Sequence, residues 1–140
     1  MTAMTHVLQV LQPSDWERPK GYSNGILARG RQVFVAGQVG WDSTGRFRSE
    51  RMSDQVRQAL ENIVTILAEA GARPEHVVRL SWFITSSAEY HGQLPDIGVA
   101  YRSVMGKHFP AMTVVQVAAL IEAGAKVEIE ATAVVRGGAE

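Results

Sequence analysis

The stretch 109–135 constrains this chain most. It lies within HFPAMTVVQVAAL, IEAGA and KVEIEATAVV, two runs that alternate with period two on either side of a glycine-containing link. A hairpin is the economical reading. In the second run Val127, Ile129, Ala131 and Ala133 fall on one face, and Glu128 and Glu130 on the other. Acids inside so apolar a strand need a reason, because a charge leaving water is tolerated only when it is paired or has a task. The question of function starts from these two carboxylates.

At 140 residues the chain is expected to form one domain, 1–140, able to bury about two-thirds of the surface its unfolded form exposes. The absence of cysteine removes disulfides, thiolate metal sites and thiol nucleophiles. MTAMTHVLQV lacks the basic flank and long apolar run of a signal peptide, and no stretch approaches the roughly 20 apolar residues of a membrane span. A cytoplasmic location is the expectation. Fourteen basic and fourteen acidic residues cancel, so no global positive field draws phosphate backbones or anionic lipid. Arg29, Arg31, Arg46, Arg48 and Arg51 read as solvated surface.

Residues 6–11 alternate weakly as a first short strand, followed by an irregular loop, SDWERPKGYSNG, long enough to reach a site. Strands are expected at 26–28 and 32–39, joined tightly through Arg29-Gly30-Arg31, with Val33, Val35 and Val39 on one face and Phe34 and Ala36 on the other. Residues 40–51 read as loop, turning at Thr44-Gly45. The spacing of Val56, Leu60, Ile63, Val64 and Leu67 predicts a helix over 54–70, capped by Ser53 and ended by Gly71. A strand at 77–85 places Val78, Leu80, Trp82 and Ile84 together. A second helix starts near Pro95-Asp96, turns Ile97, Tyr101 and Val104 inward, and ends at Gly106. The order implies an α+β domain, a mixed or antiparallel sheet with two helices on one face. Val114, Val115, Val117, Val134 and Val135 put apolar groups on both strand faces, so self-association is expected on the uncovered side.

KGYSNGI, VFVAGQVGWD, QVRQALENIVTILAEAGA, VVRLSWFIT, HFPAMTVVQVAAL and KVEIEATAVV, in this order and spacing, resemble the reactive intermediate deaminase (Rid) family. Its members are also described as endoribonucleases L-PSP or translation inhibitors. The resemblance covers almost the whole chain. It implies a chorismate-mutase-like fold and a homotrimer with clefts between subunits. In deaminating members an arginine follows Pro-Ala and grips a substrate carboxylate; this chain has Met112, which cannot make that bidentate contact. Glu128 matches the acid that positions water, and Tyr22 the tyrosine of the loop that closes the cleft. Gly37 and Gln38 match the pocket floor, with Ala36 where many members carry a hydroxyl, and Gly98 stands where asparagine is common.

Two readings follow. One is a hydrolytic deaminase of a small imine or enamine other than simple 2-iminoacids, needing no cofactor. Here Glu128 orients water, Tyr22 closes the site, and backbone amides of Met112, Thr113 and Val114 bind a substrate oxygen. The other is a non-catalytic trimer that binds a small metabolite, Met112 suiting an apolar ligand. At Glu128 the bland alternative is an ion pair with Lys126 or a neighbour's arginine, and at Tyr22 it is packing of the loop. Trp82 is expected in the core and Glu130 in a structural role. His6, His76, His91 and His108 show no metal-ligand spacing. Ribonuclease activity lacks the basic and aromatic surface it needs, so nucleic acid is not an expected partner.

Overall fold

The computed structural model describes residues 8–137. Six strands form in the order β1 (Leu8–Leu11), β2 (Gly25–Ala28), β3 (Arg31–Val39), β4 (Val77–Ile84), β5 (Ala111–Gln116) and β6 (Val127–Val135). Three helices are interleaved: α1 (Met52–Ala68), α2 (Ser87–Gly92) and α3 (Leu94–Met105). The result is a mixed α+β fold. β1 and β2 pair in an antiparallel ribbon, and a four-stranded sheet has the order β3-β6-β4-β5. His6 lies outside the described residues.

The expected hairpin does not form. β4 lies between β5 and β6, parallel to the first and antiparallel to the second. The reason is burial: β6 hides Val127, Ile129, Ala131 and Ala133 almost completely, so it takes the centre of the sheet and needs a neighbour on each edge. A parallel β4–β5 pair requires a long crossover, and α2 with α3 supplies it. β2 and β3 are joined by the short link expected at Arg29-Gly30-Arg31, but they do not pair with each other. They belong to different sheets, and Gly30 bends the chain at φ 144° where a Cβ would strike the Val135 carbonyl.

α1 presents Val56, Leu60, Ile63 and Leu67 to the sheet, all fully buried, and α3 adds Ile97, Ala100, Tyr101 and Met105. Truncating such a residue, as in Leu60→Ala, costs about 2–5 kcal/mol. Ser53 is not the cap of α1. The helix starts at Met52 with Arg51 as its N-cap, and the Ser53 amide donates to Gln93 Oε1 at 2.9 Å, a tertiary partner for an orphan donor of the first turn. In β4 an irregularity between Val77 and Arg79 shifts the alternation, so Val77 is fully buried and Val78 only half. α2 was not anticipated, although Ser86 and Glu89 have capping spacing and the Glu89 amide donates to Ser86 Oγ at 3.0 Å.

Candidate functional site

The two faces of the sheet carry different parts of the expected site. Paired residues share a face, so Ser81, Phe83, Thr113, Glu128 and Glu130 look away from the helices, while Leu80, Trp82, Met112 and Ile129 look toward them. Glu128 and Glu130 share a face as the alternation predicts.

On the outer face, Glu128 packs over Gly37. β3 carries one extra residue relative to β6 between Val35 and Gln38, and a Cβ at position 37 would collide with the Glu128 carboxylate. Glycine here makes room for the acid. Glu128 is half-buried, and its carboxylate has no hydrogen bond or ion pair among the described residues. Lys126, the partner offered by the bland reading, instead pairs with Glu89 at 3.0 Å. Ala36 is exposed nearby, and Gln38 turns its amide back onto the Ala36 carbonyl at 3.1 Å. Thr113 is exposed on this face.

On the helix side a cavity of about 570 Å³ opens between α3, β5 and the loop holding Tyr22. Trp82, Tyr101 and Phe109 form its aromatic wall: Tyr101 stacks on Phe109 at 5.6 Å and 14°, and on Trp82 at 6.4 Å and 30°. Met112 and Val114 line it from β5. Tyr22 borders it at 42 % exposure. That loop is held by Ser23, which donates from Oγ to the Phe109 carbonyl at 2.5 Å and from its amide to the Pro110 carbonyl at 3.0 Å. Tyr101 donates to the His108 carbonyl at 2.6 Å, and burial pushes its phenol well above the usual range, so the ring stays neutral. Trp82 is 2 % exposed, as its stripe predicts, and its Nε1 has no hydrogen-bond partner among the described residues.

Within one chain, therefore, Tyr22, Met112 and Val114 gather at the cavity, whereas Ala36, Gly37, Gln38, Thr113 and Glu128 do not reach it. β5 is an edge strand whose ladder neighbour is β4, and its other edge holds only the isolated bridge from Ser23 to Ala111 among the described residues. Backbone groups remain there for a ligand or another chain. Sequence reasoning missed Arg102 and Ser23. Arg102 lies one helical turn after Gly98, a spacing that puts both at the cavity rim.

Chemically, the outer face offers a carboxylate beside a glycine bulge, and the cavity offers an apolar, aromatic enclosure. Among the described residues no group of three or more His, Asp or Glu side chains is placed to hold a metal ion. No described helix is long and apolar enough to cross a membrane.

Comparison with known proteins gives this geometry a family. The sequence model of the family described as Endoribonuclease L-PSP matches residues 16–135. The human 2-iminobutanoate/2-iminopropanoate deaminase is 32 % identical over 114 residues, covering 81 % of this chain and 79 % of that protein. Among solved structures, YyfB of Yersinia pestis, a Rid-family protein of unknown function, superposes with a TM-score of 0.80 at 30 % identity, covering 93 % of this chain and all of the other. TdcF of Escherichia coli, solved with bound serine, gives 0.65 at 29 % identity, with 91 % and 98 % covered. The chain belongs to the Rid family, known also by the names YjgF and endoribonuclease L-PSP.

Proposed function

We propose that this protein hydrolyses a small imine or enamine to a carbonyl compound and ammonia, working as a homotrimer of 140-residue domains with its sites between subunits. The observation that carries this reading is the Glu128 carboxylate, half-buried against Gly37 and without a partner among the described residues. An acid so placed is suited to orient a water molecule toward a neutral electrophile. Several relatives, the human protein among them, are named imine deaminases.

The chemistry balances with water alone. Water adds to the C=N carbon, its proton passing by way of the carboxylate to nitrogen, and the tetrahedral carbinolamine then expels ammonia as the C=O bond forms. An enamine first tautomerises to the imine. Backbone amides of the β5 edge, at Met112, Thr113 and Val114, would take a substrate oxygen, and Tyr22 would close the cleft. A neighbour that docked its outer sheet face against the β5 edge would bring Glu128 to the cavity and make a shared site. The exposed Phe34, at 72 %, and Val115, at 42 %, give that face apolar area to bury.

Iminoacids made in place by an amino-acid oxidase, or 2-aminoacrylate made by a lyase, supply the test, with ammonia release followed directly. Glu128→Gln should lower turnover of any accepted imine about 100-fold or more. Turnover that survives this change sinks the mechanism. A second reading, binding without turnover, is favoured by the separation of Glu128 from the cavity within one chain. Ligand-dependent thermal stabilisation without product would select it.

A further inference from the structure

The cavity on the helix side has a charge pattern of its own. Lys20 and Arg102 line it, and none of its lining residues is acidic. The other arginines near α1 are occupied: Arg48 pairs with Asp42, Arg51 with Asp96, and Arg57 donates to Ser103 Oγ. Arg102 has no side-chain partner among the described residues. Its Nη1 lies 3.1 Å from the position a Cβ would take on Gly98, so the guanidinium lies along α3 over the bare glycine, at the rim of the cavity. A cation held there with no carboxylate of its own leaves a planar pair of donors for an anion.

The walls define the rest of the ligand. Trp82, Tyr101 and Phe109 stack along one side, and Met112, Val114 and Leu94 add aliphatic surface. A volume of about 570 Å³ falls in the range of drug-sized ligand sites and exceeds what a three- or four-carbon acid fills.

We propose that this cavity binds an arylalkyl carboxylate, its ring against the aromatic wall and its carboxylate on Arg102. The inference rests on reading the cavity as one wall of the ligand site, and it assigns the charge-reading role to the helix, with β5 contributing apolar surface through Met112. Lys20, from the loop beside Tyr22, adds a second positive charge at the rim.

Calorimetric titration of the full chain at low ionic strength tests this separately from turnover, with 3-phenylpropanoate, 3-phenylpropanamide and propanoate as probes. The wild type should bind the aryl carboxylate at least about tenfold more tightly than the amide or the unsubstituted acid. Arg102→Gln, an exposed substitution, should bring the carboxylate down to the level of the amide and leave the amide unchanged. Overturning results are equal affinity for carboxylate and amide in the wild type, a preference that persists in Arg102→Gln, or binding of none of the probes. Ammonia release scores the deaminase reading independently: imine turnover with no Arg102-dependent binding removes this inference alone, and charge-selective binding without turnover removes only the catalytic reading.

Discussion

Glu128 and Gly37 form a pair in which one residue's size sets the other's position. A methyl group at 37 has to displace the carboxylate, because the colliding atoms belong to the Glu128 side chain from its Cγ outward. Gly37→Ala is therefore expected to lower imine turnover nearly as far as Glu128→Gln, with a stability loss of about 1–3 kcal/mol from overpacking. Activity assays with thermal melts separate the two effects, and full activity in Gly37→Ala contradicts the arrangement. Gln55 is a second residue with outsized reach. It is 1 % exposed, and its side chain joins the Ser49 carbonyl at 3.0 Å, the Gly124 carbonyl at 3.0 Å and the Lys126 amide at 2.8 Å. Gln55→Ala removes the side-chain partner of three backbone groups and should cost about 1–2 kcal/mol, a fall of roughly 3–6 °C in Tm. Denaturant titration measures it.

At the scale of elements, α3 carries a cheap improvement and the loop 40–51 a pH dependence. Gly98 sits inside the helix with only the Arg102 guanidinium, the far end of a long side chain, near where a Cβ would sit, so Gly98→Ala should stabilise the fold by about 1 kcal/mol, read by thermal denaturation. The Asp42 carboxyl accepts from the Thr44 hydroxyl and amide and from Arg48, and these bonds hold it well below the usual carboxylate range, the Thr44 hydroxyl most of all. Its folded pKa is depressed, so its stabilisation is present above about pH 4, the unfolded carboxylate value, and is lost as pH falls below that. Asp42→Asn should narrow the gap to wild type as the pH drops from 6 to 2.5. A gap as wide at pH 2.5 as at 6 contradicts this account.

The same elements show what a sequence reveals. α1, α3 and the two faces of β6 were legible because periodicity is local: Val56, Leu60 and Ile63 mark a helix face wherever that helix docks. Strand partners were not, since the insertion of β4 beside β6 depends on contacts 43 to 56 residues apart that no local pattern encodes. The cap of α1 failed for the same reason, its first-turn donor being met by Gln93, 40 positions away. Of the site, the resemblance pointed to Tyr22, Gly37, Met112 and Glu128, while no sequence pattern singled out Arg102, an exposed cation on a helix.

The whole molecule leaves its outer sheet face open in one chain. Phe34 is 72 % exposed there, opposite the buried helical side. Phe34→Glu is expected to disrupt the proposed trimer, with sedimentation velocity reporting smaller species; an undiminished trimer places the interface elsewhere. Since Glu128 and the cavity occupy opposite faces, the proposed trimer would have to bring them together into a single site.

Mixing two inactive proteins tests this directly. Glu128→Gln removes the acid, and Met112→Trp fills the cavity; each alone should be an inactive trimer. Refolded together in equal amounts, they should recover about a quarter of wild-type ammonia release, because random assembly pairs an intact acid with an intact cavity at one interface in four. Activity no greater than that of the unmixed variants would mean that Glu128 and the cavity do not form a shared site.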